Sequence, residues 1–244
     1  MLICQSRSDI GKVRKMNQDA FIVIQNDTMT LAFVCDGMGG ANAGEIASTM
    51  ACDKIVAYVD THPIDKTVDV KSWLLDVVRF ANDSIYLTSL RNHAYYGMGT
   101  TLVGFLDYDR QLTSINVGDS RLYGYTPVLF QQITTDHSLV SEMVSRGLIS
   151  EEESKSHPKR HILTNALGIS RGIRIDIETI TTEFEYLLLS SDGLHGVLDD
   201  YQIREILSTE ADLPTLCDQL IDAANEAGGF DNITVILAKV GANR

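Results

Sequence analysis

Proline is scarce in this chain, with four in 244 residues, and none falls in a Pro/Ser-rich stretch that would read as a linker. Low-complexity segments and repeats at solenoid spacing are absent too, so a single compact unit over residues 1–244 is the simplest account. No apolar run approaches the roughly 20 residues that cross a bilayer, and the opening MLICQSRSDIGKVR lacks the apolar stretch of a signal peptide. A soluble, cytoplasmic protein with no membrane partner is expected. The four cysteines, Cys4, Cys35, Cys52 and Cys217, are widely spaced and include no CxxC, which favours thiols in a reducing compartment over disulfides or a zinc site. Basic residues are in deficit, 20 against 33 acids, for a net charge of −13. Such a surface repels phosphate backbones, so nucleic acid is not an expected partner. The acid surplus either keeps the protein soluble or sits partly in one pocket that awaits cations, and the positions of the acids decide between the two.

What is present is a large apolar fraction, 44% of residues, enough for a substantial core. Leu31 to Cys35, Leu102 to Leu106 and Tyr186 to Leu189 are apolar at nearly every position, which predicts strands covered on both faces. One face would meet another sheet and the other a helix. Helical periodicity runs through Ala43 to Val59, through Asp65 to Arg91 and through Leu213 to Ala224, the last stopping near Gly228-Gly229. Two long helices ahead of the middle strands and a helical pair behind a later strand fit a layered sandwich of helices and sheets.

The acids fall at the ends of the predicted strands. Asp36 ends LAFVC, Asp192 ends YLLLSS, Asp119 follows TSINVG, Asp19 opens AFIVI and Asp231 precedes NITVILAKV. In an antiparallel sheet the exit of one strand lies beside the entry of its neighbour, so these acids could meet at one edge. Asp-Gly is also a common turn dipeptide, and any one of these acids alone reads as a turn residue. Asp36-Gly37 and Asp192-Gly193 nevertheless repeat one device, an apolar strand that delivers an acid followed by a residue with a bare backbone. Carboxylates gathered in one place repel each other strongly, and a shared cation relieves that repulsion. All the candidates are hard oxygen donors, which favours Mg²⁺ or Mn²⁺ over zinc or copper. Two such ions activate water for in-line attack on phosphorus, so phosphate-ester hydrolysis is the chemistry to look for. Arg14, in GKVRKMNQD, could grip two phosphate oxygens at once, although Lys12 and Lys15 beside it also allow an ordinary solvated basic turn.

The ordered set GKVRKMNQD, VCDGMGG, GMGTTLVG, VGDSRLYGY, TTDHSLV, HPKRHILTNALG, LLLSSDGLHGVL and DNITVIL resembles the metal-dependent PPM (PP2C-type) protein serine/threonine phosphatases, in their compact bacterial branch. The resemblance implies an α+β fold, a four-layer αββα sandwich of two antiparallel sheets flanked by helices, and a site for two Mn²⁺ or Mg²⁺ ions. It places Asp36 between both ions, the Gly37 carbonyl on the second, and Asp192 and Asp231 on the first. Asp19 acts mainly through metal-bound water, and Asp119 with Asp192 matches the place of a weaker third ion. Arg14 matches the phosphate-gripping arginine, while Asn232 and Thr100-Thr101 support the site. The implied partners are phosphorylated proteins and the serine/threonine kinase that makes them, with the chain a monomer. The segment of about 137–168 matches a flap beside the metals, read here as two short helices, the first ending near Gly147, and a basic tip at Lys159 and Arg160. This flap is expected to influence substrate access.

Two departures from the eukaryotic pattern bear on chemistry. Gln18 stands where those relatives carry Glu, and Met38 stands where they carry His. Met38 has no proton to give, so leaving-group protonation is expected from metal-bound water. His62, His93 and His195 read as structural or surface residues. A catalytically silent PPM-fold binding or signalling module is the alternative, weakened because Asp19, Asp36, Asp119, Asp192 and Asp231 are all retained. A two-metal nuclease is disfavoured by the absence of a basic stripe. The short tail Gly241 to Arg244 suggests a stand-alone domain.

Overall fold

The computed structural model describes residues 2–39 and 43–241. Gly40, the last residue of the Asp36-Gly37-Met38-Gly39-Gly40 loop, and the tail residues 242–244 lie outside the described residues. In chain order the elements are β1 (Ile3–Asp9), β2 (Asp19–Gln25), β3 (Met29–Met38), α1 (Ala43–Thr61), α2 (Val70–Arg91) and β4 (Gly99–Thr100). Next come β5 (Leu102–Tyr108), β6 (Gln111–Val117), β7 (Arg121–Thr126), β8 (Leu129–Gln132), α3 (Leu139–Ser145) and α4 (Glu151–Ser156). The chain finishes with β9 (Asp176–Ile180), β10 (Tyr186–Ser190), α5 (Asp192–His195), α6 (Asp200–Leu207), α7 (Leu213–Glu226) and β11 (Ile233–Lys239). Among the described residues no helix is long and apolar enough to cross a membrane.

Two antiparallel sheets form, one in the order β1-β11-β10-β7-β8 and the other β2-β3-β5-β6-β9, with β4 pairing the end of β3. The period of two in β3 explains why its run is apolar throughout. Leu31, Phe33 and Cys35 pack against α1 and α2, while Ala32 and Val34 face the other sheet. Their neighbours between the sheets are Val103 and Phe105 from one side and Leu122, Leu187, Leu189 and Ile236 from the other. A third apolar layer joins Leu188, Val235 and Leu237 to Ile203, Leu207, Leu216 and Leu220 on α6 and α7. The order helix, sheet, sheet, helix is the αββα sandwich expected from the sequence.

Two boundaries differ from the expectation. The stretch from Asp65 is not helical until Val70, because Asp65 accepts from the Thr67 N–H at 2.7 Å and Asp69 caps α2 by accepting from the Ser72 N–H at 2.8 Å. Nor does β3 stop on its acid. It continues to Met38, since Gly37 pairs with Thr100 and Met38 with Gly99.

Candidate metal centre

Strand register creates the centre. β2 and β3 are paired so that Asp19 lies directly opposite Asp36, and an acidic pair facing across adjacent strands repels unless something offsets it. Asp192 is the first residue of α5, delivered by β10, and Asp231 lies two residues before β11, the strand beside β10. Asp119 sits in the turn from β6 to β7. The exits and entries anticipated from the sequence therefore do meet at one end of the two sheets.

Electrostatics register the convergence. Burial pushes the Asp36 carboxyl well above the usual range, and Asp19, Asp192, Asp119 and Asp231 add repulsion in that order. Burial raises Asp19 to about 7 against the hydrogen bond from Ser191, with further repulsion from Asp192 and Asp231. Asp119 is also pushed up to about 7, by burial and then by Asp192. Asp192 rises through burial and the nearness of Asp231, while a hydrogen bond with Asp36, then His161 and Arg14, pull it the other way.

The supports are local and specific. Ser191 Oγ donates to Asp19 Oδ2 at 2.7 Å and accepts from the Thr234 N–H at 3.0 Å, so β11 holds the acid of β2. The Asp36 N–H donates to Thr101 Oγ1 at 2.9 Å, and Thr101 Oγ1 lies 2.7 Å from Ser120 Oγ beside Asp119. Thr100 Oγ1 donates to the Asp36 carbonyl at 2.9 Å. The Thr100-Thr101 pair thus joins the Asp36 strand to the Asp119 turn, and backbone bonds between Thr100 and Leu167 extend the link to the segment between α4 and β9. Asn232 Oδ1 accepts from the Gln18 N–H at 2.8 Å, while its amide donates to the Ile10 and Met16 carbonyls at 2.9 and 3.0 Å. That one side chain fixes the loop carrying Arg14. Arg14 Nη2 in turn donates to Asp231 Oδ2 at 2.6 Å, and about half of the arginine side chain is exposed.

Gln18 contributes through its backbone, which composition alone could not reveal. Its carbonyl accepts from Ser48 Oγ at 2.6 Å and from the Gly37 N–H at 3.1 Å. The same closeness explains Gly37, where a Cβ would stand 2.1 Å from the Gly44 carbonyl oxygen. Gly193 is tighter still, its added Cβ falling 2.0 Å from the Asn232 carbonyl oxygen. Backbone cannot yield there as a flexible side chain would. Gly193→Ala is expected to separate the Asp192 turn from the Asp231-Asn232 segment, lowering Tm by about 5 °C or more and kcat/KM by about tenfold or more. Thermal melting and phosphate-release kinetics check this, and an unchanged Tm would show that the packing is looser than these contacts imply.

The donor set fits a hard divalent cation. Asp19 Oδ1 and Asp192 Oδ1 are buried oxygens without a hydrogen-bond partner, which is costly unless a cation or proton meets them. Among the described residues, no three His, Cys, Asp or Glu side chains are drawn together closely enough to enclose an ion as they stand. Two histidines that read as structural, His195 and His62, have partners of their own. His195 lies 3.0 Å from Ser190 Oγ through Nδ1 and packs edge-on to Tyr123, and His62 stacks on Tyr58 with ring centroids 4.4 Å apart.

Comparison with known proteins adds a direct likeness. A model of the protein phosphatase 2C family matches residues 12–238. The chain is 38% identical over 236 residues to protein phosphatase PhpP of Streptococcus pneumoniae, covering 96% of this chain and 95% of that one. It is 37% identical over 238 residues to the serine/threonine phosphatase stp of Listeria monocytogenes, covering 96% and 94%. The crystal structure of the serine/threonine phosphatase Stp1 of Staphylococcus aureus superposes with a TM-score of 0.94 at 35% identity, covering 99% of this chain and 96% of the other.

Proposed function

Because the chain belongs to the protein phosphatase 2C family, whose members are metal-dependent, we propose that its five clustered aspartates hold catalytic Mn²⁺ or Mg²⁺ ions. The chain is a protein serine/threonine phosphatase, acting on phosphoproteins. The observation that carries the metal reading is the cross-strand Asp19–Asp36 pair joined by Asp192, with two buried aspartate oxygens unpartnered. Asp36, Asp192, Asp231 and the Gly37 carbonyl would hold the ions, with Asp36 the acid shared between them. Asp19 would support them from the opposite strand, and Asp119 with Asp192 would offer a weaker additional place. When bound, such ions lower the pKa of water and offset the charge of a phosphate.

The chain's own groups do the rest. Arg14 grips the phosphate through a guanidinium already oriented by Asp231, and its exposed half reaches solvent where a phosphorylated side chain arrives. Ser191 holds one oxygen of Asp19, and Thr101 holds the Asp36 backbone, so both acids are tied in place on the strands that carry them. Residues 1–244 work as one catalytic unit with a flap at about 137–168 that influences access of protein substrates. The phosphoserine and phosphothreonine substrates are made by a bacterial serine/threonine kinase, and the phosphatase works in the cytoplasm as a monomer.

Phosphate release from a phosphothreonine peptide tests this reading. Release is expected with Mn²⁺ and not with EDTA, and Arg14→Ala should lower kcat/KM by about 10²-fold, with Arg14→Lys recovering only part. Should a folded, metal-loaded chain release no phosphate from peptide or aryl phosphate, the catalytically silent module becomes the better reading.

A further inference from the structure

One buried side chain joins both ends of the flap to the turn that carries Asp119. His137 opens the flap and is 3% exposed. Its Nδ1 faces two donors, the Gly118 N–H at 3.2 Å and Asn165 Nδ2 at 2.8 Å. A backbone N–H can only donate, so Nδ1 is the unprotonated acceptor and the proton resides on Nε2. The Asn165 amide has no freedom to flip, because Nδ2 also donates to the Arg174 carbonyl at 2.8 Å and Oδ1 accepts from the Arg174 N–H at 3.2 Å. Nε2 donates to Asp176 Oδ2 at 3.1 Å, and Arg174 grips the same carboxylate through Nε at 2.8 Å and Nη2 at 2.6 Å.

The backbone repeats the connection. The His137 N–H donates to the Gly118 carbonyl at 2.9 Å, the Thr164 N–H to the His137 carbonyl at 2.9 Å, and the Leu139 N–H to the Ile162 carbonyl at 2.8 Å. Entry and exit of the flap are therefore paired at its base, and the imidazole sits where that base meets Gly118, β9 and the returning chain at Asn165. The carboxylate of Asp119 begins one residue further on.

We propose that His137 is a positioning residue for the phosphatase reaction, fixing the flap on the Gly118-Asp119 turn and so setting how a phosphoprotein is presented to the acidic centre. The inference rests on the flap role given above and names the residue responsible for it. Asn165 Nδ2 keeps its bond to the Arg174 carbonyl, so removing Nδ1 leaves chiefly the buried Gly118 amide unmatched and frees Asn165 from the ring. Losing only the Nε2 contact is milder, because Arg174 still pairs with Asp176.

Asparagine and glutamine separate the two nitrogens. His137→Asn keeps an acceptor near the Nδ1 position, and His137→Gln keeps a donor near Nε2 but loses that acceptor. With Mn²⁺-loaded protein, His137→Gln is expected to raise KM for a phosphothreonine protein about tenfold while kcat on para-nitrophenyl phosphate stays within about twofold. His137→Asn should bring KM back to within about threefold of the wild type. Amide hydrogen exchange over residues 138–164 should quicken in the glutamine variant, and ¹⁵N shifts of the wild-type imidazole should show the Nε2–H tautomer. Asn165→Ala, at a half-buried position, removes one Nδ1 donor and carries the same KM test if His137→Gln fails to fold. Wild-type turnover on the aryl phosphate keeps the test separate from failure of the phosphatase reading. An unchanged KM with unchanged exchange, or equal loss on both substrates in the folded variants, would overturn the proposal.

Discussion

Asp36→Asn is expected to reduce phosphate release by about 10³-fold or more while raising the Tm of the EDTA-treated chain. The two effects have one cause. Asparagine has nearly the shape of aspartate, so β3 and its bonds through Thr100 and Thr101, which use the Asp36 backbone, are left in place. What disappears is a carboxyl that burial and four neighbouring aspartates push well above its usual range. In the metal-free chain that group is a liability, directly opposite Asp19. Removing it relieves repulsion and desolvation together, worth roughly 1 to 3 kcal/mol, or a few degrees of Tm for a chain of this size. With Mn²⁺ the order reverses, because the wild type gains a bridging ligand and the variant does not. Melting curves with EDTA and with Mn²⁺, beside phosphate release, check both halves. A variant with more than about a tenth of wild-type turnover would remove Asp36 from the centre of the reaction. One that is inactive and less stable in EDTA would make it a structural residue.

Much of this was legible in the residues because the local signals agreed. The runs at Leu31, Leu102 and Tyr186 could be recognised as doubly covered strands, and alternation within β3 does divide between the helix layer and the facing sheet. The meeting of Asp19, Asp36, Asp119, Asp192 and Asp231 followed from antiparallel logic, together with the family resemblance. Other features leave no local trace. The extension of β3 through Gly37 and Met38 depends on β4, a partner only two residues long, which no periodicity announces. Asp65 and Asp69 both read as acids near a helix start, and only their separate contacts to Thr67 and Ser72 show which one caps α2. The Arg14–Asp231 contact joins opposite ends of the chain, and Gln18 acts through a carbonyl that every residue possesses. His137, Asn165 and Asp176 are unremarkable individually. Their meaning comes from register and from chain segments that the sequence keeps far apart.

Raising the pH is expected to destabilise the metal-free chain across a range where many proteins are indifferent. Asp19 and Asp119 have carboxyls near 7 in the folded chain against an ordinary value of 3.8. Between those values the folded state holds more protons than the unfolded one, so stability must fall as pH rises. Their contribution is fully present below about 3.8 and is lost as pH passes through 7. Groups such as Asp176, pushed up by burial but held lower by Arg174 and His137, work in the opposite sense and withdraw their support only as the solution turns strongly acid. In EDTA, Tm should therefore decline by about 5 to 10 °C between pH 5 and pH 8. Saturating Mn²⁺ should remove most of that decline, since an ion bound to deprotonated carboxylates releases protons and binds more tightly as pH rises. The stabilisation by Mn²⁺ should consequently be small at pH 5 and large at pH 8. A Tm in EDTA that stays level or climbs over this range would mean the acids are not held against their own repulsion. The cluster would then lack the stored electrostatic free energy that a divalent cation releases on binding, and the metal reading would lose its physical basis in the fold.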